Sequence, residues 1–568
     1  MEKRLMDREV LCILDTRQIQ RFMFRSNTMT DTIGASDLIK HILDDAIAYA
    51  LDHVDPPVPR DKADLSIDPD ADIPYLHDPD MLFQLVNCTA GNALFIARTG
   101  ELAQKIIRKA SRYYLENAHA LDLTAVAVER TDVMGHDIFE LYRKLNAVKA
   151  SSETLEPLGC LPVCKHEHNT GQPIVGFDEE LGDPVSASSV LRRREARLRD
   201  KLFRLQDIAT TLGHDGKRYR AVLHADGNNM GITIGRFAQN ATDYETGIRM
   251  RRALNKNIKS TVERVMGQTL QDLAAYYEHI TGSSEGFDRQ FQIIHVGGDD
   301  VNCVCNATMA FPFLRFFYAN LEGAVMLKSG SVEVPLYMCA GVAFVTEDCA
   351  YHPAFTLAEE CCSNAKKIAK KEENLVGGLA ANWIDFQVLD NPKSQNLEML
   401  RERSYTTSEK MSAGITFVSQ KLNEGASLVL EKGHERSKAD ATGFAAILPE
   451  ISLLERPYFV GPGGNGEERT TLSLIRRVCA LKELRLSSAD EMALRQSYRA
   501  GVLEFLVFVA RMRVKGIDLI ELLGEPLWED GDGFHATWFD AVDVSDFVPI
   551  EAAELLMSEL GGDDRENH

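Results

Sequence analysis

The chain has 568 residues, of which 45% are hydrophobic and 8% aromatic, enough for three or four domains with ordinary cores. Its 63 Lys and Arg stand against 85 Asp and Glu, and a net charge of −22 works against nonspecific attraction to polyphosphate backbones and anionic membrane surfaces. No apolar run reaches the roughly 20 residues that span a bilayer. The start passes straight from charged residues into a short strand without a signal peptide, and the eleven cysteines lack a disulfide-framework spacing, so a cytoplasmic protein with reduced thiols and no membrane contact is expected.

From the N-terminus, "VLCILDT" (10–16) reads as a buried strand ending near Asp15, followed by a loop and a helix. Arg17, Arg21 and Arg25 with Phe22 and Phe24 form a short basic and aromatic strip, readable as half core and half surface or as an RNA contact. Residues 55–80, rich in Pro and Asp, cannot sustain regular structure and are read as a surface loop. Its "DPDAD" is not a calcium loop, because the sixth position is not Gly and the twelfth is Pro79. "MLFQLVNC" and "ALFIAR" then form a hairpin, with a helix over 101–117 and the strand "LTAVAVE" behind it.

A second cycle starts at "YRAVLHADGNNMGITIG" (219–235), a strand ending in Asp226. A helix over about 243–280 is indicated by Leu254, Ile258, Val262, Val265 and Leu273 near helical spacing. The hairpin "FQIIHVGGDDVNCVC" (291–305), a helix over about 308–325, the strand "LYMCAGVAFV", the helix "HPAFTLAEECCSNAKKIAKK" and the strand "WIDFQVL" complete it. This order is that of a ferredoxin-like unit.

The cycles superpose. Phe83-Gln84-Leu85-Val86 matches Phe291-Gln292-Ile293-Ile294, and the 76 positions from Asp15 to Gly91 nearly equal the 73 from Asp226 to Asp299. Gly91 and Asn92 are then the counterparts of Asp299 and Asp300, so the first cycle keeps the strand-end acid and lacks the hairpin acids. The expected fold class is α+β: two ferredoxin-like domains in one chain, at 1–150 (degenerate) and 219–395 (catalytic), a linker at 151–218 and a helical domain at 396–568. Helices are expected near 408–431, 474–484 and 488–513.

In a ferredoxin-like sheet the end of the first strand and the hairpin tip lie side by side, so Asp226 and Asp299 are expected about 5 Å apart across one strand spacing. Two carboxylates there repel unless a cation joins them. Mg²⁺ or Mn²⁺ suits an oxygen-only site completed by nucleotide phosphates, with Asp300 as a further ligand or water-orienting group. Gly227, Gly231, Gly297 and Gly298 would let the backbone approach a triphosphate. Lys366 and Lys370, four apart on one helix, would face the phosphates, or belong to a solvated basic face.

These motifs resemble the large palm-containing subunit of type III CRISPR effector complexes and its stand-alone relatives, related to GGDEF and class III nucleotide cyclases. The resemblance rests on "LDTRQIQRFMFRSNTMTDTIGASDLI", "LHADGNNMG", "HVGGDDV", "HPAFTLAEECCSNAKKIAK" and "HATWFDAVDVSDFVP". It implies two palm domains. The second would polymerise ATP into linear or cyclic oligoadenylates that activate an effector in antiviral defence, by two-metal attack of a 3′-hydroxyl on an α-phosphate. It assigns the catalytic and metal roles to Asp226, Asp299 and Asp300, nucleotide contacts to Gly227, Asn228, Asn229, Gly231, Gly297 and Gly298, and a triphosphate contact to Lys366. Asn228 stands where the family often has Asp. The family's HD nuclease domain has no counterpart here, and no such nuclease activity is expected. In the linker, "CLPVCKHEHNTGQP" offers Cys160, Cys164, His166 and His168 as ligands of a structural Zn²⁺, or is an ordinary polar linker.

Alongside nucleotidyl transfer stand two other readings, a nucleotide-sensing scaffold subunit of an RNA-guided complex and a mononucleotide cyclase. The partners implied are ATP or another NTP, a downstream effector, and RNA-guided complex subunits or further copies of the chain.

Overall fold

The computed structural model describes residues 5–549 apart from 27, 90, 152–163, 199–204, 231–240, 242, 330–331, 390–395, 405, 408–450, 453–457, 461–469, 501, 524–526, 531–532 and 537. The first unit is built on β1 (Val10–Arg17), α1 (Met29–His53), β2 (Phe83–Cys88), β3 (Asn92–Ala97), α2 (Gly100–Asn117), β4 (Asp122–Glu129) and α3 (Met134–Ser151). Its antiparallel strands run β2-β3-β1-β4, with Ala63–Asp64 added parallel to β2. β1 is apolar on both sides because it is central. Cys12 and Leu14 pack under α1 and α2, while Leu11 and Ile13 pack under α3. Thr99 starts α2 by accepting a hydrogen bond from the Leu102 amide at 3.2 Å.

A connector helix, α4 (Ala187–Leu198), lies along α1. It approaches so closely that a Cβ on Gly34 would stand 1.8 Å from the Arg192 carbonyl oxygen. Arg193 of α4 is buried and donates to Asp31 of α1 at 2.9 Å, which sets the register of the two helices.

The second unit repeats the plan with β5 (Arg218–Gly227), α5 (Tyr244–Thr281), β6 (Phe291–Gly297), β7 (Asp300–Asn306), α6 (Ala310–Leu321) and β8 (Met338–Thr346), in the order β6-β7-β5-β8. α7 (Tyr351–Ala369) then returns over the sheet to β9 (Trp383–Leu389), which lies parallel to β8, and β10 (Tyr458–Phe459) closes that edge. α5 and α6 cover one face of the sheet, α7 the other.

The strand registers bear out the duplication. Asp15 pairs with Asn92 and Leu14 with Ala93; in the second unit Ala225 pairs with Val301, which brings Asp226 opposite Asp300. Both hairpins carry a bulge at the same place, Leu85/Asn87 in one and Ile293/His295 in the other. Lys149, near the end of α3, lies 2.7 Å from the Asp15 carboxylate, and Lys366 of α7 contacts Asp226 in the same way.

The two units pack reciprocally, each sending the helix after its first strand onto the other's hairpin. Arg252 of α5 is buried and donates to the Leu85 carbonyl at 2.7 Å and the Val86 carbonyl at 3.2 Å, at the bulge where the ladder is broken. From the other side, Ser36 of α1 bonds the His295 Nδ1 at 2.5 Å. The 55–80 loop is drawn into this joint. Arg249 donates to the Pro69 and Ala71 carbonyls, and Lys256 lies 3.1 Å from the Asp68 carboxylate.

The domain boundary expected at 396 is not a break in packing. Helices α8 (Thr471–Glu483), α9 (Ser488–Ala500), α10 (Val502–Val514), α11 (Leu519–Leu523) and α12 (Phe539–Val544) share one core with the second unit. Phe547 stacks on Phe344 of β8 at 4.6 Å, and the Tyr458 hydroxyl donates to Asp540 at 3.0 Å. Phe311 of α6 covers Phe344 and Phe386 in part, and the later helices complete the same core. The expected helix at 488–513 is two helices, and the one expected at 408–431 lies outside the described residues. Among the described residues no helix is long and apolar enough to cross a membrane.

Candidate active site

β5 is central to its sheet and delivers Asp226 and Gly227 to the edge of the hairpin tip between β6 and β7. The tip turns through Gly298 at φ 66, a backbone conformation that glycine adopts without strain. The turn lays Asp299 against β5, and a Cβ on Gly227 would stand 2.5 Å from an Asp299 carboxylate oxygen. Gly227 is thus the floor on which Asp299 rests. Burial, then the charge of Asp226, pushes the Asp299 carboxyl up to about 6.

Lys366 lies on the same cluster, its ammonium donating to the Asp226 carboxylate and, at 2.9 Å, to the Gly227 carbonyl. Burial pulls Lys366 down, but the Asp226 charge and hydrogen bond outweigh it and the group is raised, so it stays cationic. Its position depends on the approach of α7 to β8. A Cβ on Gly341 would lie 2.0 Å from the Ala358 carbonyl oxygen and 2.3 Å from the Cys362 amide nitrogen. Lys370, by contrast, is exposed at the helix end.

Asp300 has different company. Asn302 donates to it at 2.9 Å, His224 stands at 3.4 Å and His295 at 4.0 Å. Burial works to raise Asp300, yet the His224 hydrogen bond and charge prevail and hold it below the usual carboxylate range. His224 is raised in turn, because Asp300 offsets the burial that pulls it down. The three sequence-predicted acids therefore divide into a pair, Asp226 and Asp299, and an acid tied to a histidine. His224, His295 and Asn302 did not enter the sequence reading. The alternation of strand side chains, two residues before Asp226 and two after Asp300, was the signal that could have found the first and last.

Asn228 and Asn229 are buried and turned into the fold. Asn228 donates to the Ala381 carbonyl at 2.6 Å; Asn229 donates to the Ala380 carbonyl at 2.8 Å and accepts from the Ala380 amide at 3.1 Å. Their amides fix the loop after β5 to the approach of β9. Asn229 adopts φ 64, a left-handed conformation that Asn tolerates. Gly297 has its own neighbour, since a Cβ there would lie 2.4 Å from His295 Nε2. Gly231 and Cys160 lie outside the described residues.

Among the described residues no three His, Cys, Asp or Glu side chains are gathered as a metal-binding group. This holds for Cys164, His166 and His168, between which the buried Glu167 instead accepts from the Ser186 amide at 3.1 Å and the Ser189 hydroxyl at 2.9 Å. Asp226 and Asp299 form a two-carboxylate arrangement. Their mutual repulsion and glycine floor fit one small divalent ion whose other ligands come from water or a phosphate.

Residues 219–375, which contain this whole arrangement, match the family model of the Cas10/Cmr2 second palm domain. The resemblance to the large palm-domain subunit of type III CRISPR complexes therefore holds, and the second unit is a palm domain. Among solved structures, the chain is similar to a Csm1-Csm4 cassette in complex with one ATP, at 13% identity and a TM-score of 0.38, over 64% of this chain and 54% of that one. It is also similar to a Csm1-Csm4 cassette in complex with cA4, at 12% identity and a TM-score of 0.42, over 97% of this chain and 70% of that one. The chain spans about half the length of the first of these, and likeness at these scores adds no weight to the functional reading. No curated protein matches.

Proposed function

We propose that the chain is a metal-dependent nucleotidyltransferase that converts ATP, or a related triphosphate, into a linear or cyclic oligonucleotide messenger. The observation that carries the reading is the Asp299 carboxylate resting on Gly227 beside Asp226, with Lys366 in the same cluster, inside the segment that matches a Cas10/Cmr2 second palm. Mg²⁺ or Mn²⁺ held by Asp226 and Asp299 would neutralise phosphate charge and make a 3′-hydroxyl more acidic.

Asp299, raised to about 6, is mostly ionised at neutral pH and would ligate such an ion as the carboxylate. Lys366, half-buried and cationic, would be released to bind a triphosphate if a divalent ion held the Asp226 carboxylate. Gly227 and Gly298 carry no side chain that would keep phosphates from the backbone. Asp300, held by His224 and Asn302, fixes the hairpin tip that carries Asp299. In the reaction the 3′-oxygen bonds to the α-phosphorus while the bond to the bridging oxygen breaks, releasing pyrophosphate and a proton. A place in an RNA-guided assembly, with an effector that receives the product, belongs to the same proposal.

The test is incubation of the full chain with ATP and Mn²⁺, with products read by mass spectrometry beside the Asp299→Ala variant. Pyrophosphate and adenylate oligomers from the native chain alone support the reading, and a product of mononucleotide mass replaces it with a cyclase. Absence of both under every partner or activator condition sinks it.

A further inference from the structure

Each unit grips the other's hairpin at the bulge. In the first unit the bulge residue is Asn87, whose Oδ1 accepts from Arg251 Nε of α5 at 3.0 Å, next to the Leu85 and Val86 carbonyls that Arg252 holds. The match of Phe83 to Phe291 makes His295 the counterpart of Asn87, and there the Ser36 hydroxyl of α1 lies 2.5 Å from Nδ1. Ser36 is fully buried, so its hydroxyl needs a partner, and it takes one 259 positions away in the other unit.

His295 and Gly297 lie two apart on β6, on one face of the strand. The His295 ring fills the space of the missing Gly297 side chain, since a Cβ there would stand 2.4 Å from Nε2. Gly297 pairs with Asp300 as the last rung of the ladder before the turn through Gly298 and Asp299. The ring is thus wedged between α1 of the first unit and the rung from which the turn springs. We propose that Ser36 is a positioning residue of the metal site: its hydroxyl holds the His295 ring against Gly297, which keeps the turn in place and Asp299 resting on Gly227 beside Asp226. The first unit, which has no hairpin acids of its own, contributes to the site through this contact. The inference rests on the proposed metal-binding role of Asp226 and Asp299, and it works through the backbone of the turn rather than through the charge of Asp300.

The test reads two quantities on the full chain: hydrogen exchange at the amides of 297–300 without metal, and Mn²⁺ affinity by titration calorimetry. Ser36→Ala should speed that exchange and weaken Mn²⁺ binding, each about fivefold, the worth of one buried hydrogen bond. His295→Ala should do the same, and the double variant no more than either, because the hydroxyl acts only through the ring. Ser36→Thr, which keeps the hydroxyl, should stay near the native chain in both. Asn87→Ala cuts the corresponding bond on the other hairpin; it should lower the thermal midpoint and leave both readings native. Native exchange and affinity in Ser36→Ala overturn the proposal, as do losses that add in the double variant or that Ser36→Thr fails to restore. Equal losses in Asn87→Ala also overturn it, because they mean a general loosening of the joint. If the native chain binds no Mn²⁺, the metal reading fails, and exchange at 297–300 alone decides whether Ser36 positions the turn.

Discussion

Asp299 and Asp300 are neighbours in sequence with opposite surroundings, and each predicts a different response to the same substitution. Asp299 is raised to about 6 by burial and by Asp226, so below that pH it holds a proton that a metal must displace. Mn²⁺ affinity, followed by titration calorimetry, should fall about tenfold per pH unit on the acid side of 6 and level off above it. A carboxyl with a raised native value also costs stability as pH rises from the ordinary carboxylate range through 6, so the thermal midpoint without metal should decline over that window and recover on adding Mn²⁺. Asp299→Asn should abolish the metal response and remove the decline. Asp300→Asn should keep metal affinity within a few-fold and lower stability by about 1–2 kcal/mol, because His224 loses its charged partner. The pair Asp226 and Asp299 was legible in the sequence because both sit at turn positions with glycine. The tie of Asp300 to His224 and Asn302 went unread although strand alternation was its signal, and only His295, whose ring is set by Ser36 of the other unit, lay beyond that signal.

At the scale of elements, strands and crossover helices were legible from period and punctuation, and the boundaries moved little. "WIDFQVL" is β9 to the residue, and the long helix over about 243–280 is α5, Tyr244–Thr281. The stretch 488–513 was read as one helix because its apolar residues keep helical spacing across position 501, where the chain has a glycine. The bonds of Asn228 and Asn229 into the fold were not legible for a related reason: the segment they hold, Ala380–Ala381, is far away in sequence. The approach of α7 to β8 gives the sharpest test at this scale. Gly341→Ala would put a methyl into the Ala358 carbonyl and the Cys362 amide, so α7 must shift. A loss of about 1–3 kcal/mol in denaturant unfolding is expected. Product formation should drop with it, since Lys366 rides on the same helix.

Across the whole molecule, the duplication was legible from one tetrapeptide match and one interval, and the bulges and Asp-Lys pairs confirm it at positions the sequence comparison did not use. Reciprocal packing was not legible, because the contacts that make it are between residues more than a hundred positions apart. Arg252 is the clearest of these, an arginine on a helix of the second unit satisfying carbonyls that the first unit's bulge leaves open. Arg252→Leu should lower stability by about 2 kcal/mol, read as a drop in thermal midpoint, because the Val86 carbonyl loses its arginine donor and the Leu85 carbonyl keeps only the Gln84 amide. The C-terminal helices escaped assignment to the second unit's core for the same reason: the residues that share that core with them, Phe344 among them, are distant in sequence.

The central claim is that Asp226 and Asp299 share one divalent cation, and the direct test is anomalous diffraction from crystals of the full chain grown with Mn²⁺ and a non-hydrolysable ATP analogue. The account predicts a peak about 2.1 Å from a carboxylate oxygen of each, with Lys366 moved from Asp226 towards the phosphates. A peak bound to Asp300 and His224, or no peak between the two acids at saturating Mn²⁺, would contradict it.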